Sequence, residues 1–142
     1  NGYFIHKSEL HGCEIDLKDC PDLGPILCVL ASFAHGTTHI KNAQRLRMKE
    51  SDRIEAMEQE LKKLGVAIQS HGGDIIIEGK SAYEGNVIFH GHNDHRIVMS
   101  LAIAASLCQK PCKIMDAQAV RKSYPQFFDD LQRVGVKVEC YE

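Results

Sequence analysis

Apolar and polar positions along the chain fall into short alternating stretches, wholly apolar runs and helically spaced stripes. Glu14-Ile15-Asp16-Leu17 alternates with the period of a half-buried strand. Pro25 then opens an apolar run, Ile26 to Ala34, which predicts a buried helix closed by Gly36. Thr37 to Ile40 is short and rich in β-branched residues, as strands are. Ser51 or Asp52 is placed to cap a second helix, whose Ile54, Met57, Leu61 and Leu64 recur as one amphipathic stripe. Gly65 ends that helix, Val66-Ala67-Ile68 predicts a strand, and Gly72-Gly73 a turn into the strand Ile75-Ile76-Ile77.

The pattern then repeats. Ile40-Lys41-Asn42-Ala43-Gln44 returns as Ile114-Met115-Asp116-Ala117-Gln118, and Leu61-Lys62-Lys63-Leu64-Gly65-Val66-Ala67-Ile68 as Leu131-Gln132-Arg133-Val134-Gly135-Val136-Lys137-Val138. Asp22 before the first apolar run corresponds to Asp94 before the second, Ile97 to Leu107, where Asp94 is placed to cap the helix. Val87-Ile88-Phe89 and Cys112-Lys113-Ile114 predict strands. Ser123 with Pro125 predicts the start of a helix carrying Phe127, Phe128, Leu131 and Val134, which Gly135 stops. The expected class is α/β (α+β): two β-α-β-α-β repeat units, residues 12–79 and 85–140, in one domain. The first helix of each unit is buried in this reading, and the amphipathic second helices lie outside. Ile26, Val29, Leu30, Ile97, Leu101 and Ile103 are the expected shared core.

With 142 residues, 44% apolar and 25% charged, the chain has the composition of a globular domain, which excludes a disordered or low-complexity one. A net charge of -2 gives no polyelectrolyte patch for nucleic acid. No run reaches the ~18 apolar residues of a membrane helix, and no charged leader precedes an apolar segment at Asn1-Gly2-Tyr3-Phe4. No partner of either kind is therefore expected. The six cysteines form no C-x-x-C pair, and Cys28 and Cys108 fall in apolar helical stretches, so free thiols in the reducing cytoplasm are expected.

Charge gathers at element ends. Arg45-Leu46-Arg47-Met48-Lys49-Glu50-Ser51-Asp52-Arg53 places its cations at the start of a helix, where they oppose the macrodipole. His95-Arg96 follows Asp94 at the next helix start, and Lys122 precedes Ser123-Tyr124-Pro125. Three helix starts with a cation each suggest one anion site, although a solvated charged loop accounts for such runs in general. Asp22 is by default the N-cap of the helix behind it. His90-Gly91-His92-Asn93-Asp94-His95 leaves three readings open: a metal site, a surface histidine cluster, or His95 within the anion site. Nucleophile-elbow, Walker A and dinucleotide glycine motifs are absent.

Four separated segments carry a resemblance over nearly the whole chain. Pro21-Asp22-Leu23-Gly24-Pro25, Arg45 to Arg53, Asn93-Asp94-His95-Arg96-Ile97-Val98-Met99 and Lys122-Ser123-Tyr124-Pro125-Gln126-Phe127-Phe128 resemble, in order and spacing, the signatures of the 5-enolpyruvylshikimate-3-phosphate synthase family. The resemblance covers only the C-terminal part of that family's chain. It implies that residues 1–142 are part of the second of two domains built from such repeats, with the first domain as a partner across the active-site cleft. It also implies transfer of the enolpyruvyl group of phosphoenolpyruvate to the 5-hydroxyl of shikimate 3-phosphate, with release of phosphate and with neither metal nor organic cofactor. Asp22 then matches the proton acceptor at the 5-hydroxyl and Glu50 the acid at the methylene carbon. Arg53 and Arg96 match the arginines on phosphoenolpyruvate, Lys122 the lysine at its phosphate, His95 the wall of that pocket, and Lys49 the lysine facing shikimate 3-phosphate. The rival readings are an enolpyruvyl transferase acting on UDP-N-acetylglucosamine and a small non-catalytic anion- or RNA-binding module.

Overall fold

Two β-α-β crossovers organise the chain, and the computed structural model describes them within residues 2–141. In the first, β1 (Glu14–Asp16) runs into α1 (Gly24–Ser32) and returns as β2 (Gly36–Lys41), parallel to β1 with Ile15 opposite Ile40. In the second, β5 (Ile88–His90) runs into α3 (His95–Ser106) and returns as β6 (Lys113–Met115), parallel to β5 with Phe89 opposite Ile114. The repeated pentapeptide forms the same turn in both. Asn42 and Asp116 each adopt a left-handed conformation with φ of 58°, which these two residue types tolerate, and a 3₁₀ turn follows each.

Behind each crossover lies the amphipathic helix, α2 (Arg53–Lys63) or α4 (Phe127–Arg133). Both end in one cap: the Gly65 and Gly135 N–H groups bond the Lys62 and Gln132 carbonyls, and Val66 and Val136 bond those of Leu61 and Leu131. From there the copies diverge. β3 (Ala67–His71) and β4 (Asp74–Gly79) form a hairpin, and β4 inserts between β2 and β3 to give a sheet of order β1-β2-β4-β3. The strand expected over Val136-Lys137-Val138 does not form. β3 owes its ladder to β4, and β4 has no counterpart after Val138 among the described residues; the Val138 carbonyl instead accepts from Gln132 Nε2 at 2.8 Å. Nor does Ser123-Tyr124-Pro125 start a helix: residues 117–122 are a 3₁₀ turn and α4 begins only at Phe127.

One apolar cluster spans both copies. Leu17, Val29, Ile40, Met57, Leu61 and Ile77 from the first copy pack with Phe89, Ile97 and Leu101 from the second. α1 packs against both α2 and α3, so the first helices do lie inside. Of the expected core residues, Val29, Ile97 and Leu101 are fully buried and Ile26 and Ile103 partly so, whereas Leu30 is 42% exposed on the outer side of α1. Tyr83, in the join between the copies, is buried with its hydroxyl donating to the Ser32 carbonyl at 2.8 Å. Residues 2–10 form neither helix nor strand and leave Tyr3, Phe4 and Ile5 almost wholly exposed. Among the described residues no helix is long and apolar enough to cross a membrane, and all six cysteines are free.

A core shared in this way ties the stability of one copy to the other. Chemical denaturation is expected to give one cooperative transition, and Leu101→Ala to lower unfolding free energy by roughly 2–5 kcal/mol without splitting it. A separate transition for each copy would contradict this packing.

Candidate active site

The N-termini of α2 and α3 and the 3₁₀ turn Pro21–Leu23 before α1 meet at one end of the fold, and the charged residues meet with them. At the centre is a buried ion pair. Asp94 is 0% exposed and Arg53 is 3% exposed. Arg53 donates from Nε to Asp94 Oδ2 at 2.8 Å and from Nη2 to Asp94 Oδ1 at 3.2 Å, a two-pronged contact. Asp94 also caps α3 by accepting from the Arg96 N–H at 2.9 Å, and it accepts from the Ser51 hydroxyl at 3.0 Å. Burial pushes its pKa up, but these donors and the Arg53 charge outweigh it and hold the carboxyl below the usual range.

Asp22 is the second carboxylate. Its Oδ1 meets Lys49 Nζ at 3.1 Å and Arg53 Nη1 at 3.1 Å, and its Oδ2 meets Arg96 Nη2 at 3.4 Å. The Lys49 contact and the charges of the two arginines keep its pKa below the ordinary aspartate value. Asp22 caps nothing: α1 follows Leu23, and no side chain bonds to its first N–H groups. The capping reading fails because the 3₁₀ turn places Asp22 inside a helical turn, where its side chain faces the cations. Capping does hold at α2, where Asp52, rather than Ser51, accepts from the Glu55 N–H at 3.0 Å.

Glu50 and His95 form the third element, with His95 Nδ1 2.9 Å from Glu50 Oε2. The pair sits at the rim, with Glu50 41% and His95 11% exposed at the side chain. Lys122 reaches the same end by donating to the Asn93 carbonyl. All seven residues singled out in the sequence are thus tied into one continuous surface. Their electrostatic setting differs from expectation. Arg53 is not a cation awaiting a counter-charge, since Asp94 and Asp22 neutralise it. Lys122 lies in the last turn of a 3₁₀ helix, where a cation is favourable. What survives is a surplus: Lys49, Arg53 and Arg96 face only Asp22 and Asp94, with Arg96 37% exposed at the side chain and on long contacts.

The three histidines of the His90–His95 segment do not converge. His92 turns to Glu60 and His95 to Glu50. Glu50, Asp94 and His95 do bring one ligand-type atom each within 4.8 Å of one another, but Arg53 occupies both oxygens of Asp94. A cation there would sit against a guanidinium. From the sequence Asp94 is legible only as a cap, and Ser51 as its hydrogen-bond donor is not legible. A readable signal existed at Arg53, which shares a helix face with Met57 four positions on and so points inward. A cavity of about 560 Å³ between α3, β6, α4 and the C-terminal segment contains none of the seven residues.

Fold and site together define a class: an α/β protein of two similar β-α-β units with a surplus of positive charge gathered at its helix N-termini. The profile of the family described as EPSP synthase (3-phosphoshikimate 1-carboxyvinyltransferase) matches residues 2–131, and the chain belongs to that family. It is 50% identical over 129 residues to the 3-phosphoshikimate 1-carboxyvinyltransferase of Clostridium novyi, covering 91% of this chain and 29% of that protein. To that of Methanocella arvoryzae it is 47% identical over 135 residues, covering 95% and 32%. An EPSP synthase structure from Acinetobacter baumannii superposes with a TM-score of 0.88 at 32% identity, covering 94% of this chain and 32% of that one. The enolpyruvyl transferase NikO from Streptomyces tendae shares the fold, with a TM-score of 0.77 at 18% identity over 94% of this chain and 30% of that one. The chain therefore spans about 30% of the length of the relatives it matches.

Asp94→Asn separates the ion pair from the cap. Asparagine caps a helix as well as aspartate, so α3 is retained, while Arg53 keeps only the partly exposed Asp22 as a carboxylate partner. The expected loss is roughly 3–5 kcal/mol of unfolding free energy near neutral pH. Because the folded pKa of Asp94 is depressed, its contribution is present above its unfolded pKa and is lost as pH falls through the folded value. The gap between wild type and Asp94→Asn is thus expected to narrow below about pH 4 in denaturation curves taken across the acid range.

Proposed function

We propose that this chain forms part of the C-terminal domain of a longer enzyme that transfers the enolpyruvyl group of phosphoenolpyruvate to the 5-hydroxyl of shikimate 3-phosphate, releasing phosphate. The observation that carries the reading is the convergence of Lys49, Arg53 and Arg96 on Asp22 and Asp94, with one positive charge in surplus, beside a Glu50–His95 pair. Phosphoenolpyruvate is a small planar anion with a carboxylate and a phosphate, which suits guanidinium forks and helix N-termini. Arg96, exposed and loosely held, is the arginine that grips it. Arg53, saturated by carboxylates, supplies field and holds Asp94. Lys122 lies at the phosphate, His95 lines the pocket, and Lys49 faces shikimate 3-phosphate.

The chemistry is an addition followed by an elimination. In the addition, the 5-hydroxyl oxygen bonds to C2 of phosphoenolpyruvate while its proton passes to Asp22, and the methylene carbon takes a proton from Glu50. In the elimination, the C2–O bond to phosphate breaks, the departing phosphate takes the proton held by Asp22, and the methyl group returns a proton to Glu50 as the double bond re-forms. Three cations make Asp22 a poor base in the empty site. A bound dianion competes for Lys49 and Arg96, and drawing them away raises the basicity of Asp22 when substrate is present. A domain preceding residue 1, with the rest of the cleft, completes the acceptor site and excludes water on closure. Free cysteines throughout accord with a cytoplasmic location.

Phosphate release by the full-length enzyme is expected with shikimate 3-phosphate and not with UDP-N-acetylglucosamine as acceptor; the 142-residue chain alone is expected to release none. In the full-length enzyme Arg96→Ala is expected to weaken phosphoenolpyruvate binding roughly 10- to 150-fold, the equivalent of a lost charged hydrogen bond. Calorimetric titration should show a much smaller loss for shikimate 3-phosphate. Asp22→Asn is expected to lower the melting temperature only slightly, because its half-exposed contacts with three cations are weakened but no cap is lost, while turnover falls by about 10²–10⁴-fold. Wild-type turnover in that variant would remove Asp22 from the chemistry.

A further inference from the structure

Glu60 is a carboxylate that the proposed chemistry does not use, and it is 2% exposed. It stands seven positions after Arg53 on α2, so the two share, with Met57, the face of the helix turned into the protein. Its Oε2 accepts from the His90 N–H at 2.9 Å and from Lys63 Nζ at 2.5 Å, and its Oε1 meets His92 Nε2 at 3.0 Å. Burial raises its pKa, and these three donors lower it by more, so the group stays ionised.

The partners of Glu60 are the first residues of the segment that carries the site. His90 ends β5, and His92 and Asn93 both adopt left-handed conformations with φ of 51°. Two such residues in succession persist only where the surroundings hold them. The turn is closed by the Asp94 N–H bonding the Gly91 carbonyl at 2.9 Å. Gly91 leaves no slack, since a Cβ there would lie 2.5 Å from Val98 Cγ2. At the far end Asp94 is gripped by Arg53, and the next two residues are His95 and Arg96. α2 therefore holds the His90–Asp94 segment at both ends, through Glu60 at its entry and Arg53 at its exit.

We propose that Glu60 is a positioning residue, which fixes the His90–Asp94 turn through the His90 N–H and the His92 ring and thereby sets His95 and Arg96 for the enolpyruvyl donor. The inference rests on the function proposed above. It predicts a defect selective for phosphoenolpyruvate, because the residues displaced are those on the donor and not those on the acceptor. It also predicts which substitution is tolerated. Glutamine keeps an oxygen for the His90 N–H and turns its amide to His92, whose ring nitrogen can accept in the other tautomer. Leucine offers neither.

The test uses the full-length enzyme with Glu60→Leu, Glu60→Gln and His92→Phe. Glu60→Leu is expected to raise the KM for phosphoenolpyruvate by about 10- to 100-fold, the scale of a small misplacement of binding groups, with the KM for shikimate 3-phosphate unchanged. Glu60→Gln should stay near wild type, and His92→Phe should fall between the two. Amide hydrogen exchange at Asp94, His95 and Arg96, read without substrate, should quicken in the same order. An unchanged KM for phosphoenolpyruvate in folded Glu60→Leu, or an equal rise for both substrates, overturns the proposal. Should Glu60→Leu not fold, His92→Phe decides, its ring being 27% exposed and outside the core: wild-type KM and wild-type exchange in that variant overturn the proposal. A wild-type enzyme that releases no phosphate refutes the function instead, and the exchange measurement still judges Glu60.

Discussion

The buried pair between Arg53 and Asp94 is the contact on which this end of the molecule depends. Two charges removed from water are costly unless each is fully bonded, and here both oxygens of the aspartate and all three nitrogens of the guanidinium find partners. The pair docks the start of α2 against the start of α3. With those two helices held, Lys49 at the approach to α2 and Arg96 in the first turn of α3 come to face the same aspartate, Asp22, from different directions. Removing either buried partner would strand a charge in an apolar setting, so the arrangement is stable only as a whole.

The consequence for chemistry is a site poised between pairing with itself and pairing with a ligand. Asp22 has about half its side chain in solvent and is held by contacts of 3.1–3.4 Å, a modest attraction that a multiply charged anion can outbid. Arg53 has no such freedom. The division of labour between the two arginines follows from burial alone: one is committed to structure, and the other remains available. In the same way α2 carries buried charge at positions 53 and 60 on a face otherwise apolar, and each is matched to the segment between β5 and α3.

The two copies show how far a repeated sequence enforces a repeated structure. Local determinants act identically: Asn42 and Asp116 turn the chain with one backbone geometry, and Gly65 and Gly135 close their helices with one set of hydrogen bonds. Non-local determinants do not. A strand needs a neighbour, and Val66 to Ile68 has one across the hairpin whereas Val136 to Val138 does not. The apolar face of α4 and the neighbouring C-terminal segment accordingly border a cavity rather than a sheet.

What the sequence determined alone was everything set by spacing within a few residues. The first three helices, the glycine stops at Gly65 and Gly135, the cap at Asp94 and the strands of the two crossovers follow from local hydrogen bonding and from the period of apolar positions. The motif residues were legible too, as a list. Their relation to one another was not, because it depends on how helices separated by some forty positions dock, which no local pattern encodes. Tertiary structure alone decided that Asp22 turns to three cations instead of capping α1, that Arg53 is buried and neutralised while Arg96 is partly exposed on long contacts, that Leu30 faces outward, and that Glu60 reaches the turn before His95. Each of these follows from one physical fact: burial forces a charged group to find its partner wherever the fold brings one, whatever the distance along the chain.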